Sequence, residues 1–85
     1  MPEVRVQVLF WNVEDELKRG VRLEVEDGLP LSGVIAVLGE KYPRFAGEVD
    51  PGALIIAVDG LVQRDLRAPV PPGALVVLFP RLVGG

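Results

Sequence analysis

The 85-residue sequence has no cysteine and no histidine. That removes disulfides, thiolate nucleophiles, thiolate or imidazole metal sites and the Ser-His-Asp device together. Ser32 is the only serine, threonine is absent, and side-chain amides are limited to Gln7, Asn12 and Gln63. The inventory therefore lacks the nucleophile and base pair that an enzyme acting alone would use. Long apolar runs are missing too. The longest, Ala53 to Val58 and Ala74 to Phe79, fall well short of the roughly 20 residues that cross a bilayer, so no membrane partner is expected. Met1-Pro2-Glu3 is followed by no basic segment or signal-type apolar core, which makes a cytoplasmic location the expectation. Positive charge is in deficit, 9 Lys and Arg against 12 Asp and Glu for a net charge of -3. Binding to a phosphate backbone needs a positive surface, so nucleic acid is not an expected ligand. Few labile side chains beside eight prolines would suit a heat-tolerant protein.

What is present reads as one domain, since 85 residues support a modest core and not two. Val4, Val6, Val8 and Phe10 alternate with Arg5, Gln7 and Leu9, the period of a strand with one buried face, over about 3 to 10. The polar stretch from Asn12 to Arg19 suggests a short helix or loop, capped by Asn12 and closed at Gly20. Val21, Leu23 and Val25 alternate with Arg22, Glu24 and Glu26, a second strand with one wet face, ended by an Asp27-Gly28 turn. Leu31, Val34, Ile35, Leu38 and Tyr42 recur at helical spacing up to Pro43, which predicts the main helix over 31 to 42 and a loop from 43 to 52. Gly33 and Gly39 inside it each cost about 1 kcal/mol relative to Ala, so packing must hold this helix. The run 53 to 58, then Asp59-Gly60, then Leu61-Val62, signals a hairpin. Three prolines mark 65 to 72 as irregular, and a Pro72-Gly73 turn precedes the final strand, 74 to 79, ended by Pro80.

These elements give an α+β fold: one mixed sheet of four to five strands, covered on one face by one main helix. The first and last strands could pair in parallel at its centre, since the chain between them is long enough to supply the crossover such a pair needs. Both faces of the later strands are apolar: Leu54, Ile56 and Val58 oppose Ile55 and Ala57, and Leu75, Val77 and Phe79 oppose Val76 and Leu78. One helix covers one face, so the other is either a docking patch or is closed by the loop 63 to 72. Glu14-Asp15-Glu16 reads as a solvated acidic run rather than a metal site. Arg64, Arg67 and Arg81 stand as a candidate basic rim beside the end of the chain.

Four segments carry a resemblance that spans nearly the whole chain. They are Val8-Leu-Phe10 with Glu16-Leu17; Gly28 through the helix to Glu40-Lys-Tyr-Pro43; Ala57-Val-Asp-Gly60; and Val77-Leu-Phe-Pro80 running into Gly84-Gly85. In order and spacing they resemble the MoaD/ThiS family of sulfur carriers, which includes the small subunit of molybdopterin synthase. The resemblance implies a ubiquitin-like β-grasp domain over 1 to 80 and a flexible C-terminal tail over 81 to 85. It further implies that Gly85 is the working residue: its carboxylate is adenylated with ATP by a ubiquitin-activating-like enzyme. Sulfur from a donor enzyme then converts it to a thiocarboxylate that serves a synthase large subunit. Gly84, with no Cβ, would let the tail thread a narrow slot, and Phe79, Pro80, Arg81, Leu82 and Val83 would contact the partner. No metal and no tightly bound cofactor are implied. Arg81-Leu82-Val83 replaces the Pro-Pro-Val typical of the family, and Arg-Leu there looks more like ubiquitin's own tail, which leaves a protein modifier as the alternative. A sulfur carrier for another pathway (thiamine, tRNA thiolation, cysteine) and a β-grasp binding module are further alternatives.

Overall fold

A computed structural model describes residues 2–10, 12–48 and 53–80. Five strands and three helices follow one another as β1 (Glu3–Val8), α1 (Asp15–Arg19), β2 (Val21–Glu24), α2 (Leu31–Lys41), α3 (Pro43–Glu48), β3 (Leu54–Val58), β4 (Leu61–Val62) and β5 (Leu75–Pro80). The strands form one mixed sheet in the order β2-β1-β5-β3-β4. β5 is the central strand. It pairs in parallel with β1, from Arg5↔Leu75 to Val8↔Leu78, and antiparallel with β3, from Leu54↔Pro80 to Val58↔Val76. The parallel pairing of first and last strands, which the sequence left open, is present, with all of the chain between them as crossover.

The period-2 pattern sorts side chains between two faces. Val4, Val6 and Val8 of β1, Leu23 of β2, Ile56 of β3, and Val76 and Leu78 of β5 are buried on one of them. They pack with Leu31, Val34 and Leu38 of α2, Val13 and Leu17 around α1, and Phe45 of α3 in one apolar cluster. Each such side chain contributes about 1.5–3 kcal/mol by leaving water. Gly33 serves this packing, because a Cβ there would lie 2.6 Å from Leu29 Cδ1, and Leu29 rests against the cluster.

Several local expectations are corrected. β1 ends at Val8, although Phe10 still packs on the core. Asn12 does not cap α1: the cap position is Glu14, which makes no side-chain capping bond there. The expected loop after Pro43 is a helix as far as Glu48, followed by residues outside the description. Pro43 ends α2 because it biases its predecessor away from helical angles, yet its own fixed φ suits a first helical position, so one residue both stops and starts a helix. The last strand runs one residue further than expected, to Pro80. A proline lacks only the donor, and a strand end tolerates that loss.

The β3–β4 hairpin follows its sequence signal. Asp59 and Gly60 both take positive φ, 50° and 85°, as a two-residue turn matched to strand twist requires. Asp59 also anchors the turn to the start of β5, donating its N–H to the Leu75 carbonyl (2.9 Å) and accepting the Leu75 N–H on Oδ1 (2.9 Å).

Candidate functional site

The end of β5 is where the expected site begins. Phe79 and Pro80 are half-buried and sit opposite Ile55 and Leu54, so the last described residues belong to the end of the central strand. Arg81, Leu82, Val83, Gly84 and Gly85 lie outside the described residues.

The second part is the face that α2 does not cover. Leu75, Val77 and Phe79 alternate outward on β5, beside Ile55 and Ala57 of β3, and all five are half-buried. Val62 of β4, opposite Ala57, is 60% exposed, and Leu9, whose N–H donates to the Leu78 carbonyl, is 46% exposed. The connection 63 to 72 does not close this face. It turns to the helical side, where Leu31 and Ser32 donate to the Ala68 and Leu66 carbonyls and Val70 donates to that of Leu29. Val70 is buried and Leu66 packs against the same cluster. The proline-rich segment thus completes the covered core, and none of the described helices or loops packs over the other apolar side of the sheet.

Of the expected basic rim, Arg81 lies outside the described residues. Arg64 follows Gln63, whose N–H donates to the Ile56 carbonyl, whereas Arg67 lies further along the segment that turns to α2. Arg67 is held by Asp65 at 3.5 Å.

The acidic run before α1 divides by function. Glu14 is half-buried, and its carboxylate accepts the backbone N–H groups of Arg44 (3.0 Å) and Phe45 (3.1 Å), tying the approach to α1 to the first turn of α3. Burial raises its pKa, but the hydrogen bonds from Arg44, from its own backbone and from Phe45, with the Arg44 charge, more than offset that and hold it below its ordinary value of 4.5. Glu16 accepts a hydrogen bond from the Tyr42 hydroxyl. That bond, then burial, then the Glu16 and Glu14 charges, push the phenol up to about 12. Asp15 is exposed and pairs with Lys18 at 3.6 Å. Among the described residues no group of carboxylates is arranged to hold a metal ion, and no helix is long and apolar enough to cross a membrane. The role of Glu14 had no local signal, because its partners lie 30 and 31 residues away.

No protein-family model matches the chain, and no curated protein does. Solved structures do. SAMP1 of Haloferax volcanii superposes with a TM-score of 0.75 at 19% identity, over 98% of this chain and 99% of that one. A Pyrococcus furiosus protein described as molybdopterin converting factor subunit 1 gives 0.74 at 18%, over 96% and 100%. A chain from the complex of subunits 1 and 2 of the molybdopterin-converting factor of Helicobacter pylori gives 0.68 at 23%, over 98% and 99%. The fold is the MoaD/ThiS-like, ubiquitin-like β-grasp. Within it, the observed order of strands and the single large covering helix are those expected from the sequence, with α3 as the addition.

Proposed function

We propose that this β-grasp chain is a sulfur carrier whose reactive group is the backbone carboxylate of Gly85, working in the cytoplasm as the small subunit of a molybdopterin-synthase-like assembly. The observation that supports it most is the position of β5. The central strand carries Phe79 and Pro80 at one end of the sheet, paired with β3, so the five residues that follow start from the end of that strand. Fully extended they reach roughly 17 Å, enough to enter a partner's site. Ordering them costs about 1–2 kcal/mol each, which burial of Leu82 and Val83 in the partner would offset.

In this reading a partner supplies the chemistry and the chain supplies the substrate. One oxygen of the Gly85 carboxylate attacks the α-phosphorus of ATP, giving an acyl adenylate and releasing pyrophosphate. Sulfide-level sulfur (HS⁻) from the donor then attacks the acyl carbon, AMP leaves with the former carboxylate oxygen, and a thiocarboxylate remains. The likeness to molybdopterin-converting-factor subunits supports a synthase large subunit as the later partner.

The second reading is a protein modifier, in which a lysine amine of a target displaces AMP and forms an amide. It is favoured by the likeness to a small archaeal modifier and by Arg81-Leu82 in the tail. Intact mass of the protein purified from its own cells separates the two: a carrier contains a subpopulation with one oxygen replaced by sulfur, and a modifier is found joined to larger proteins. Deletion of Gly85 is expected to abolish ATP–pyrophosphate exchange by the activating enzyme and to leave the melting temperature unchanged. Full exchange by the truncated chain would end both readings.

A further inference from the structure

The open face has a charged end as well as an apolar one. Arg5 of β1 and Arg22 of β2 are direct cross-strand partners, and both are exposed. With Arg19 at the end of α1, Gln7, Gly20 and Leu75, they line a depression of about 350 Å³. Like charges set directly opposite each other on a ladder are destabilising, and among the described residues neither guanidinium forms an ion pair. Among the described residues the ion pairs are Lys18 with Asp15 and Arg67 with Asp65, so none of the three guanidinium groups is matched. Glu3 and Glu24 oppose each other two residues along the same strands without pairing to them. In a chain of net charge -3 this is a local concentration of the minority sign.

We infer that Arg5, Arg19 and Arg22 are a second recognition element, which receives acidic side chains of the enzyme that activates Gly85; this rests on the carrier or modifier reading above. A guanidinium fork matches a carboxylate with two parallel hydrogen bonds. A protein occupant fits better than a small anion, because the three arginines are exposed and a lone ion would bind there half in water. A protein that also lies over Leu75, Val77, Ile55 and Phe79 excludes water from the same face, and the charge pairs strengthen as the local dielectric falls. The spacing serves orientation. Leu75, at the arginine end, and Pro80, where the tail departs, are five residues apart on one strand, or roughly 17 Å. Contacts at both ends fix which way the tail points, and the arginine end adds long-range attraction that speeds encounter.

The test uses the full-length chain and the purified adenylating enzyme of the ubiquitin-activating type from the same organism, with calorimetric Kd at several salt concentrations and ATP–pyrophosphate exchange. The double substitution Arg5→Glu with Arg22→Glu is expected to raise Kd and KM by at least about tenfold, flatten the salt dependence, and leave kcat unchanged. Arg22→Gln should do the same to a smaller extent while its melting temperature stays equal or rises, since it removes a like-charge opposition; a structural role would instead lower it. Deletion of Gly85 should abolish exchange and leave Kd within about twofold. An unchanged Kd in the double variant, or no measurable binding by the unsubstituted chain, overturns the arginine proposal, and Gly85-dependent exchange shows that the carrier reading survives. Exchange that persists without Gly85 overturns the carrier reading, and the Kd ratio then decides the arginines alone. A salt-sensitive dimer of the chain, dissolved by Arg5→Glu with Arg22→Glu, would make the occupant a second copy and also overturn the proposal.

Discussion

On the covered face of the sheet Val76 and Leu78 have no exposed surface, whereas Leu75, Val77 and Phe79, the alternate residues of the same strand, are only half-buried. The two sets are equally apolar, so hydrophobicity did not separate them. What differs is cover: α1, α2, α3 and the 63–72 segment all contribute to one side. On the other side none of these described elements contributes, which leaves an apolar area next to Phe79 and, at the level of Leu75, the opposed Arg5 and Arg22. A side chain earns stability where it is enclosed, and a similar one left half in water is available for recognition.

The comparison is broken most severely from the covered side. Phe45→Ala and Leu78→Ala are each expected to cost about 2–5 kcal/mol in urea unfolding, through lost transfer energy and the cavity left behind. In a domain this small that is a large part of the total stability. Next comes the Glu14 staple, which helps to fix α3 over the core. Glu14→Ala should lower the thermal midpoint at neutral pH. Because the folded-state pKa lies below 4.5, the contribution is complete above that value and fades as pH falls through the lower folded value. The gap between variant and parent should therefore close in acid; a gap that is constant with pH would remove the carboxylate from the account.

Val77→Ala on the open face sharpens the contrast. It is expected to cost under about 1 kcal/mol in the same unfolding measurement, because a half-buried methyl pair opens no enclosed cavity. A loss equal to that of Leu78→Ala would show that the open face is covered in solution. The smallest effect is on Tyr42, the only tyrosine in the chain, which makes its titration directly visible by absorbance. Its midpoint is expected at about 12 rather than 10.0, and Glu16→Gln should bring it back toward the ordinary value. The sign is opposite to that of Glu14: this bond stabilises fully below pH 10 and is lost as pH rises through about 12.

How much of this was legible beforehand follows the range of the interactions. The β3–β4 hairpin was readable because Asp59-Gly60 selects its turn within two residues, and α2 because its apolar stripe repeats within one helix. α3 has no such signal, because Pro43 marks a stop for the helix before it as strongly as a start for the one after, and the use of Glu14 has none because its partners are on α3. The open face was read correctly as apolar, but the loop that could have closed it packs elsewhere, through hydrogen bonds to the start of α2. The arginine cluster could not be seen as a cluster, since Arg5 and Arg22 were merely outward positions on two strands until the register placed them opposite each other.

The sequence by itself determined the class of fold and the chemistry excluded from it: the periods of its apolar residues set strands and helices, and the absence of cysteine and histidine is independent of any structure. Only the tertiary structure decided which apolar face is enclosed, which glutamate caps a helix and which charges stand together. Those outcomes depend on pairing register and on contacts between distant segments, and no local pattern of side chains carries that information.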